Sequence, residues 1–484
     1  MESDKQKVLK GVFWTAVGKY SSLVVATVVS MILARLLTPS EFGTVAIASV
    51  LIAFFSMVSS MGVAPAIIQR NDLIDDDLSS IFTFSILIGA ILGGLFALLS
   101  WPIGSFYKNP DVIPVCQILA FNLFFSTINM VPGALMSKYL RFKENAIRNL
   151  ALQLIIGPIA VVCALCGAGV YSLLISPVVG ALGIFLFNYY FYPVKFSLKI
   201  NRASIKKILS FSTYQFAFQF INYFTVNYDK LIIGRVMGSS NLGYYQKSYQ
   251  LIQLPASNIS GVVYPVLQPI FAKYQDEKEL LLLKYSKMIK LIASICIPLG
   301  VFLFFSGEEV IRLFYGPKWD LAVPAFKIMS AALPILVILP VTGTFFQASN
   351  EIKYLFHVGA INAIVTILSF TLVSISFNTV ESVAYAALIS NISCLIVTYY
   401  YMYVKVLKKT ISLAIKTYYG PFIVGAIMAG IVYLVNFILC DYTYTCLIVK
   451  VVVLVVTVPY YLHISKQVDV LSWLRIQKNK IIKR

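Results

Sequence analysis

Charge is scarce in this sequence. Asp, Glu, Lys and Arg make up 12% of its 484 residues, about half the share of a soluble domain. With 59% hydrophobic residues and a mean hydropathy of +0.84, the apolar surface cannot all hide in a water-soluble core. Most of it must face lipid or other buried helices. Acidic residues are outnumbered 20 to 39, for a net charge of +19. In a soluble protein that balance would suggest nucleic acid. Here the basic residues lie between apolar runs and form no basic domain, so a nucleic-acid partner is not expected.

Enzyme signatures are missing too. The chain has no Walker A loop, no H-E-x-x-H and no nucleophile elbow. The longest outer loop, around Glu308–Asp320, is short, whereas a membrane glycosyltransferase or polymerase would want larger loops with acids to handle sugars. No cofactor and no metal site is expected. Cys163 and Cys166 form a C-x-x-C inside an apolar span, with no His or second Cys pair nearby, and read as small helical residues. Cys440 and Cys446 flank an outer loop and would pair only if oxidised. The two histidines, His357 and His463, fall near span ends and are given no role. Lys5, Lys7 and Lys10 precede an apolar run, as in a signal peptide. That run leads into a motif that recurs later, so it reads as a retained first helix.

What is present is a series of apolar runs, each about 20 residues or more, the length needed to span a bilayer. They fall near 11–37, 43–68, 79–106, 112–136, 146–168, 171–192, 208–236, 241–271, 285–306, 320–347, 354–376, 380–404, 415–439 and 445–463. The expected fold is therefore an all-α integral membrane protein with about 14 transmembrane helices. With the N-terminus inside, twenty-nine Lys and Arg fall in inner segments and five in outer loops, a strong positive-inside bias. Both termini then lie in the cytoplasm.

The runs are organised around a repeat. Ala34–Gly43 reads ARLLTPSEFG and Gly234–Gly243 reads GRVMGSSNLG, each between two apolar runs. Arg35 answers Arg235, Ser40 answers Ser240 and Gly43 answers Gly243 without a gap. The register continues through Ser60 with Ser260 and Pro65 with Pro265, and Phe106-Tyr107 is echoed by Phe314-Tyr315. A period this long fits two six-helix lobes related by a parallel repeat, a recurring transporter plan. The expected parts are an N-terminal lobe (1–196), a basic connector (197–207), a C-terminal lobe (208–405), an extra helix pair (413–463) and a basic amphipathic tail (464–484) on the inner leaflet. Gly43 and Gly243 would suit tight turns, and Arg35 and Arg235 would snorkel at the outer face.

Polar residues inside spans mark the candidate site. Asp229 is the acidic residue deepest in an apolar run. A charge there costs about 2.5–3.5 kcal/mol on insertion scales and usually faces a cavity or a partner. Gln215, Gln219, Asn222 and Asp229 share one face of span 7, with Lys230 at its border. Gln246, Gln250 and Gln253 begin a polar stripe along span 8 that continues through Ser257, Ser260, Tyr264 and Gln268, with Lys247 at its edge. Span 1 adds Lys19. One reading is a hydrated cavity lined by spans 1, 2, 7 and 8, whose amides bind sugar hydroxyls and whose lysines attract phosphate. The other is interhelical glue. Asp229 is a coupling-ion candidate, or half of a structural ion pair with a lysine.

ARLLTPSEFGTVAIA after the first span, GRVMGSSNLGYYQKSYQL after the seventh, and the span count resemble bacterial polysaccharide exporters. These belong to the multidrug/oligosaccharidyl-lipid/polysaccharide superfamily, and the resemblance is to the colanic-acid and teichuronic-acid exporter branch. It covers essentially the whole chain. It implies a V-shaped, two-lobe, alternating-access flippase, not an enzyme. The implied substrate is an undecaprenyl-pyrophosphate-linked oligosaccharide for O-antigen, capsule or exopolysaccharide. A polysaccharide polymerase and assembly proteins are the implied partners, beside the lipid bilayer. A cation-coupled small-molecule antiporter, a membrane glycosyltransferase or polymerase, and a non-transporting assembly partner are the alternatives.

Overall fold

A computed structural model gives the chain as a series of helices, and it describes residues 4–60, 63–197, 201, 205, 213–275, 277–377, 379–439 and 443–465. The expected amphipathic tail and Cys440 lie outside the described residues. No strand occurs among those described. Ten helices are long and apolar enough to cross a membrane. Two bent pairs, Val112–Ile128 with Met130–Lys138 and Pro317–Ser330 with Leu333–Ala348, bring the number to twelve if each is one span. These helices keep large apolar side chains on the outside, among them Leu98, Val162, Leu186, Ile375 and Phe437. So much exposed apolar surface is compatible with a bilayer and not with water. The chain is a multi-pass membrane protein.

Contacts divide it into two compact units, Met1–Gly243 and Tyr244–Arg484. The first holds α1 (Asp4–Leu36), α2 (Pro39–Ser60), the short α3 (Val63–Gln69), α4 (Asp75–Tyr107), α5 (Val112–Ile128), α6 (Met130–Lys138), α7 (Phe142–Leu165), α8 (Ser172–Phe191) and α9 (Thr213–Val236). Sequence register places the repeat boundary in the connector 197–207. The contacts divide the chain one helix later, because α9 packs on α2 and α4.

In this unit α1 lies along α7, where Gly18 meets Ala146 and Gly157 meets Val29. Such small residues let backbones approach closely where lipid offers no hydrophobic drive. Ile67, Ile81, Phe82, Val131 and Leu135 form a core under α3, α4 and α6. The chain bends by 43° between α5 and α6. Asn129 stands at the bend, and its Oδ1 accepts from Asn188 Nδ2 on α8 at 2.8 Å.

The break between α1 and α2 is written locally. Thr38 precedes Pro39, whose fixed φ suits a first helical residue. The Glu41 carboxylate accepts from Thr38 N at 2.7 Å, and Glu41 N lies 3.4 Å from Thr38 Oγ1. This reciprocal pair is a capping box. The second copy of the motif turns differently. Gly238, with φ +83°, supplies the left-handed residue between α9 and the next helix.

That helix, α10 (Gly238–Ala272), carries the chain into the second unit. There follow α11 (Lys278–Phe305), α12 (Gly307–Tyr315), α13 (Val323–Ser330), α14 (Leu333–Ala348), α15 (Ile352–Ser376), α16 (Val380–Tyr399), α17 (Ser412–Ile438) and α18 (Thr443–Ile464). Helix α11 is the hub, with α14, α17 and α18 packed on it. Its Tyr285 hydroxyl is hydrogen-bonded to Thr342 at 2.7 Å and donates to Tyr399 at 3.3 Å. The 46° bend between α13 and α14 has a plain cause. Pro334 lacks an N–H, and its ring excludes the carbonyl four residues back, that of Ser330. Arg312 on α12 is held between Glu308 at 2.6 Å and Asp320 at 2.9 Å.

Candidate functional site

The site is built on the junction of α2, α9 and α10, where both copies of the recurring motif stand. Gly43 and Gly243 are helical residues of α2 and α10, not turn residues as the sequence suggested. They are there for proximity. A Cβ on Gly43 would lie 1.7 Å from the Ser239 carbonyl oxygen, and a Cβ on Gly243 would lie 2.0 Å from the Pro39 carbonyl oxygen. Pro39 and Ser239 are themselves equivalent in the repeat. Each copy therefore presents its carbonyl to the other copy's glycine, as a local two-fold relation requires. The Ser40 and Ser239 hydroxyls close the contact at 2.9 Å.

Helix α9 docks on α2 through aromatic side chains. Phe54 meets the rings of Phe220, Tyr223 and Phe224 at centroid distances of 5.7, 5.8 and 5.4 Å. Tyr223 also donates its hydroxyl to the Val50 carbonyl. At the end of α9, Gly234 meets the Tyr107 ring, and Arg235 stacks 4.8 Å over Phe106. The Arg235 cation is thus held on an aromatic face.

This frame positions Asp229, which is buried on α9, and Lys230, half-buried, whose Nζ donates to Asn227 Oδ1 at 3.2 Å. Asn227 in turn donates to the Tyr223 carbonyl at 3.0 Å. The side chains of Gln215, Gln219 and Asn222 lie outside the described residues. Lys19 is exposed on α1, 5.9 Å from the Tyr20 ring centroid, and forms no ion pair with a described residue. The structure does not bring it to Asp229.

On α10, Gln246 is half-buried, and its Oε1 is buried without a hydrogen bond from a described residue. Gln250 and Gln253, on the same face, are exposed. Lys247 is buried with its Nζ 4.9 Å from the Tyr315 ring. The next residue, Ser248, donates to the Ala322 carbonyl at 2.9 Å. Tyr107 thus packs against α9, and Tyr315, its echo in sequence, against α10.

Two polar clusters escaped the sequence reading. In the first unit Arg148 on α7 donates to Asn188, which donates on to Asn129 at 2.8 Å. In the second, Lys450 on α18 is wholly buried, forms an ion pair with Glu309 on α12 and reaches the Phe305 carbonyl at 3.3 Å. The partners in these clusters are 40 to 145 residues apart, so no local pattern announces them. Cys163, Cys166 and Cys446 are free. No group of three His, Cys, Asp or Glu suited to a metal occurs among the described residues.

Apolar outward faces, close helix approach through glycine and polar stripes on two helices define a polytopic helical membrane protein. Residues 32–324 match the family described as "Polysaccharide biosynthesis protein". That match covers more than half of the sequence, and the chain belongs to this family. It is 27% identical over 430 residues to an uncharacterized membrane protein in the cps region of Klebsiella pneumoniae, covering 87% of each chain. It is 25% identical over 331 residues to the lipopolysaccharide biosynthesis protein WzxC of Escherichia coli (strain K12), covering 67% of this chain and 66% of that one. Its fold is that of the lipid II flippase MurJ in an inward closed conformation, with a TM-score of 0.73, 16% identity, and 94% and 98% of the two chains covered.

Proposed function

We propose that the protein is a flippase that moves polyprenyl-pyrophosphate-linked oligosaccharide across the inner membrane for surface polysaccharide assembly. The observation that carries this reading is a contrast in composition inside a polysaccharide-biosynthesis family member. Helices α9 and α10, 24 and 35 residues long, are long enough to span but less apolar than the other long helices. Their length belongs to a membrane helix, and their stripes of Gln, Asn, Asp and Lys belong to a wetted surface. A polar stripe of that length is expensive in lipid without water beside it.

Counting these two with the twelve gives fourteen spans, divided as lobes 1–196 and 208–405 with the extra pair 413–463. Both termini then lie in the cytoplasm, as the lysine and arginine bias requires. Along the path, the amides of Gln215, Gln219, Asn222, Gln246, Gln250 and Gln253 exchange hydrogen bonds with sugar hydroxyls. Lys19, Lys230 and Lys247 draw the pyrophosphate, and Asp229 is the group through which an ion gradient would couple. The membrane potential alone contributes about 2.3 kcal/mol per charge per 100 mV, with the sign that drives an anion outward. A polymerase would take up the delivered unit on the far side.

Deletion of the gene tests this. Lipid-linked repeat units should accumulate in the cytoplasmic leaflet while finished surface polysaccharide disappears. Normal polysaccharide with no accumulation would overturn the proposal. Gradient-driven efflux of small cations from vesicles, without lipid translocation, would establish the antiporter instead.

A further inference from the structure

The end of α10 and the first turns of α11 line a half-open cavity of about 440 Å³ within the second unit. Part of its wall is apolar, from the exposed Ile270 at the end of α10 and the half-buried Met288 and Leu291 on α11. The remainder is cationic, from Lys273, Lys284 and Lys287. The ammonium groups of Lys273 and Lys284 converge on one ring, lying 6.0 and 5.5 Å from the Tyr274 centroid. Of the neighbouring charges, Lys278 pairs with Glu351 at 2.8 Å and Glu279 with Lys409 at 2.7 Å, while Glu277, exposed in the same turn, pairs with none of the three lysines. Lys273, Lys284 and Lys287 form no ion pair with a described residue. Three like charges brought to one cavity repel one another unless an anion joins them.

We propose that this cavity seats an anionic phospholipid of the surrounding bilayer. Its phosphate lies among Lys273, Lys284 and Lys287, and one acyl chain lies along Ile270, Met288 and Leu291. An ammonium binds a phosphate as a point charge from any direction, which suits three convergent lysines. A free phosphate would use the lysines and leave the apolar wall wet; a neutral lipid would use the wall and leave the lysines opposed. The cavity adjoins the first residues of the span Lys278–Phe305, where headgroups meet the protein. The site stands whether or not the chain is a flippase, because it concerns a lipid that stays and not one that is moved.

Native mass spectrometry of the full chain in detergent tests it, with phosphatidylglycerol, phosphatidylcholine and undecaprenyl phosphate offered in equal amounts. Phosphatidylglycerol should be retained in preference to phosphatidylcholine. Retention should fall about fivefold per lysine in K273Q, K284Q and K287Q and their combination, and should persist when the same lysines become arginine. The unfolding midpoint in lipid-free detergent checks that the glutamine variants are folded. Equal retention of phosphatidylglycerol by the folded triple glutamine variant would overturn the site. So would equal retention of phosphatidylcholine by the wild type, or a loss confined to undecaprenyl phosphate.

Discussion

The two copies of the recurring motif share a backbone contact and differ in nearly everything attached to it. Ala34–Gly43 joins two helices that are apolar enough to be membrane spans on composition alone. Gly234–Gly243 joins two that are not. Yet Gly43 faces the Ser239 carbonyl as Gly243 faces the Pro39 carbonyl. The contact at the junction is symmetric, while the side chains along the flanking spans are largely apolar in one copy and include Gln, Asn, Asp and Lys in the other. Under the proposed function, the symmetric joint holds the helices and the polar lining meets the substrate.

The largest effect is expected away from the twin motifs, where Lys450 ties α18 to Glu309 on α12. E309Q leaves a wholly buried ammonium without its counter-charge, which typically costs about 3–5 kcal/mol. The unfolding midpoint of purified protein should fall sharply, and replacing both residues by apolar ones should recover most of the loss. Next come the twins. G43A and G243A each force apart backbone atoms that leave no room for a methyl, at about 1–3 kcal/mol each. Combined, they should cost less than the sum, since one separation of the two helix ends relieves both. G94A, with no neighbour within 4 Å, should change stability by less than about 0.5 kcal/mol. If the double variant were strictly additive, the reciprocal contact would not be a single joint.

A smaller effect belongs to the divergent side chains. D229N should leave expression and folding intact and slow gradient-driven transport by about tenfold, equivalent to ~1.4 kcal/mol. Unchanged transport would return Asp229 to a structural role. The mildest perturbation is cysteine substitution. Gln250→Cys and Gln253→Cys, at exposed positions, should react with water-soluble maleimides in intact membranes, whereas a cysteine at Val50, the buried twin of Gln250, should be protected. Protection at all three positions would make the glutamines glue between helices.

Much of this was legible in the sequence because lipid imposes simple rules. Twelve of the fourteen runs expected to span coincide with apolar helices or bent pairs of helices, since length and apolarity suffice to set those elements; the runs 208–236 and 241–271 are less apolar. The start of α2 was written in Thr38-Pro39-Ser40-Glu41, although its capping box emerged only from the geometry. The glycines were recognised as a pair and misassigned in role. A glycine in a turn and a glycine in a helix crossing look alike until the opposing carbonyl is seen. Neither Lys450 nor Arg148 shows its pairing in the sequence, because Glu309 lies 141 residues from the one and Asn188 lies 40 from the other. Asn129 marks the α5–α6 bend through Asn188, a contact that only the packing of α5 and α8 creates. For the candidate site, the stripe on α10 was legible as a period, but which of its glutamines are exposed depends on neighbours that period does not specify.

The most direct test is reconstitution of the full chain in proteoliposomes with a fluorescent undecaprenyl-pyrophosphate oligosaccharide in both leaflets, quenched from outside with a membrane-impermeant reductant. Translocation that speeds up with an imposed membrane potential and slows when Gln250 and Gln253 are both replaced by leucine is the expected result. No translocation above protein-free vesicles, by protein that is folded and correctly inserted, would contradict the assignment.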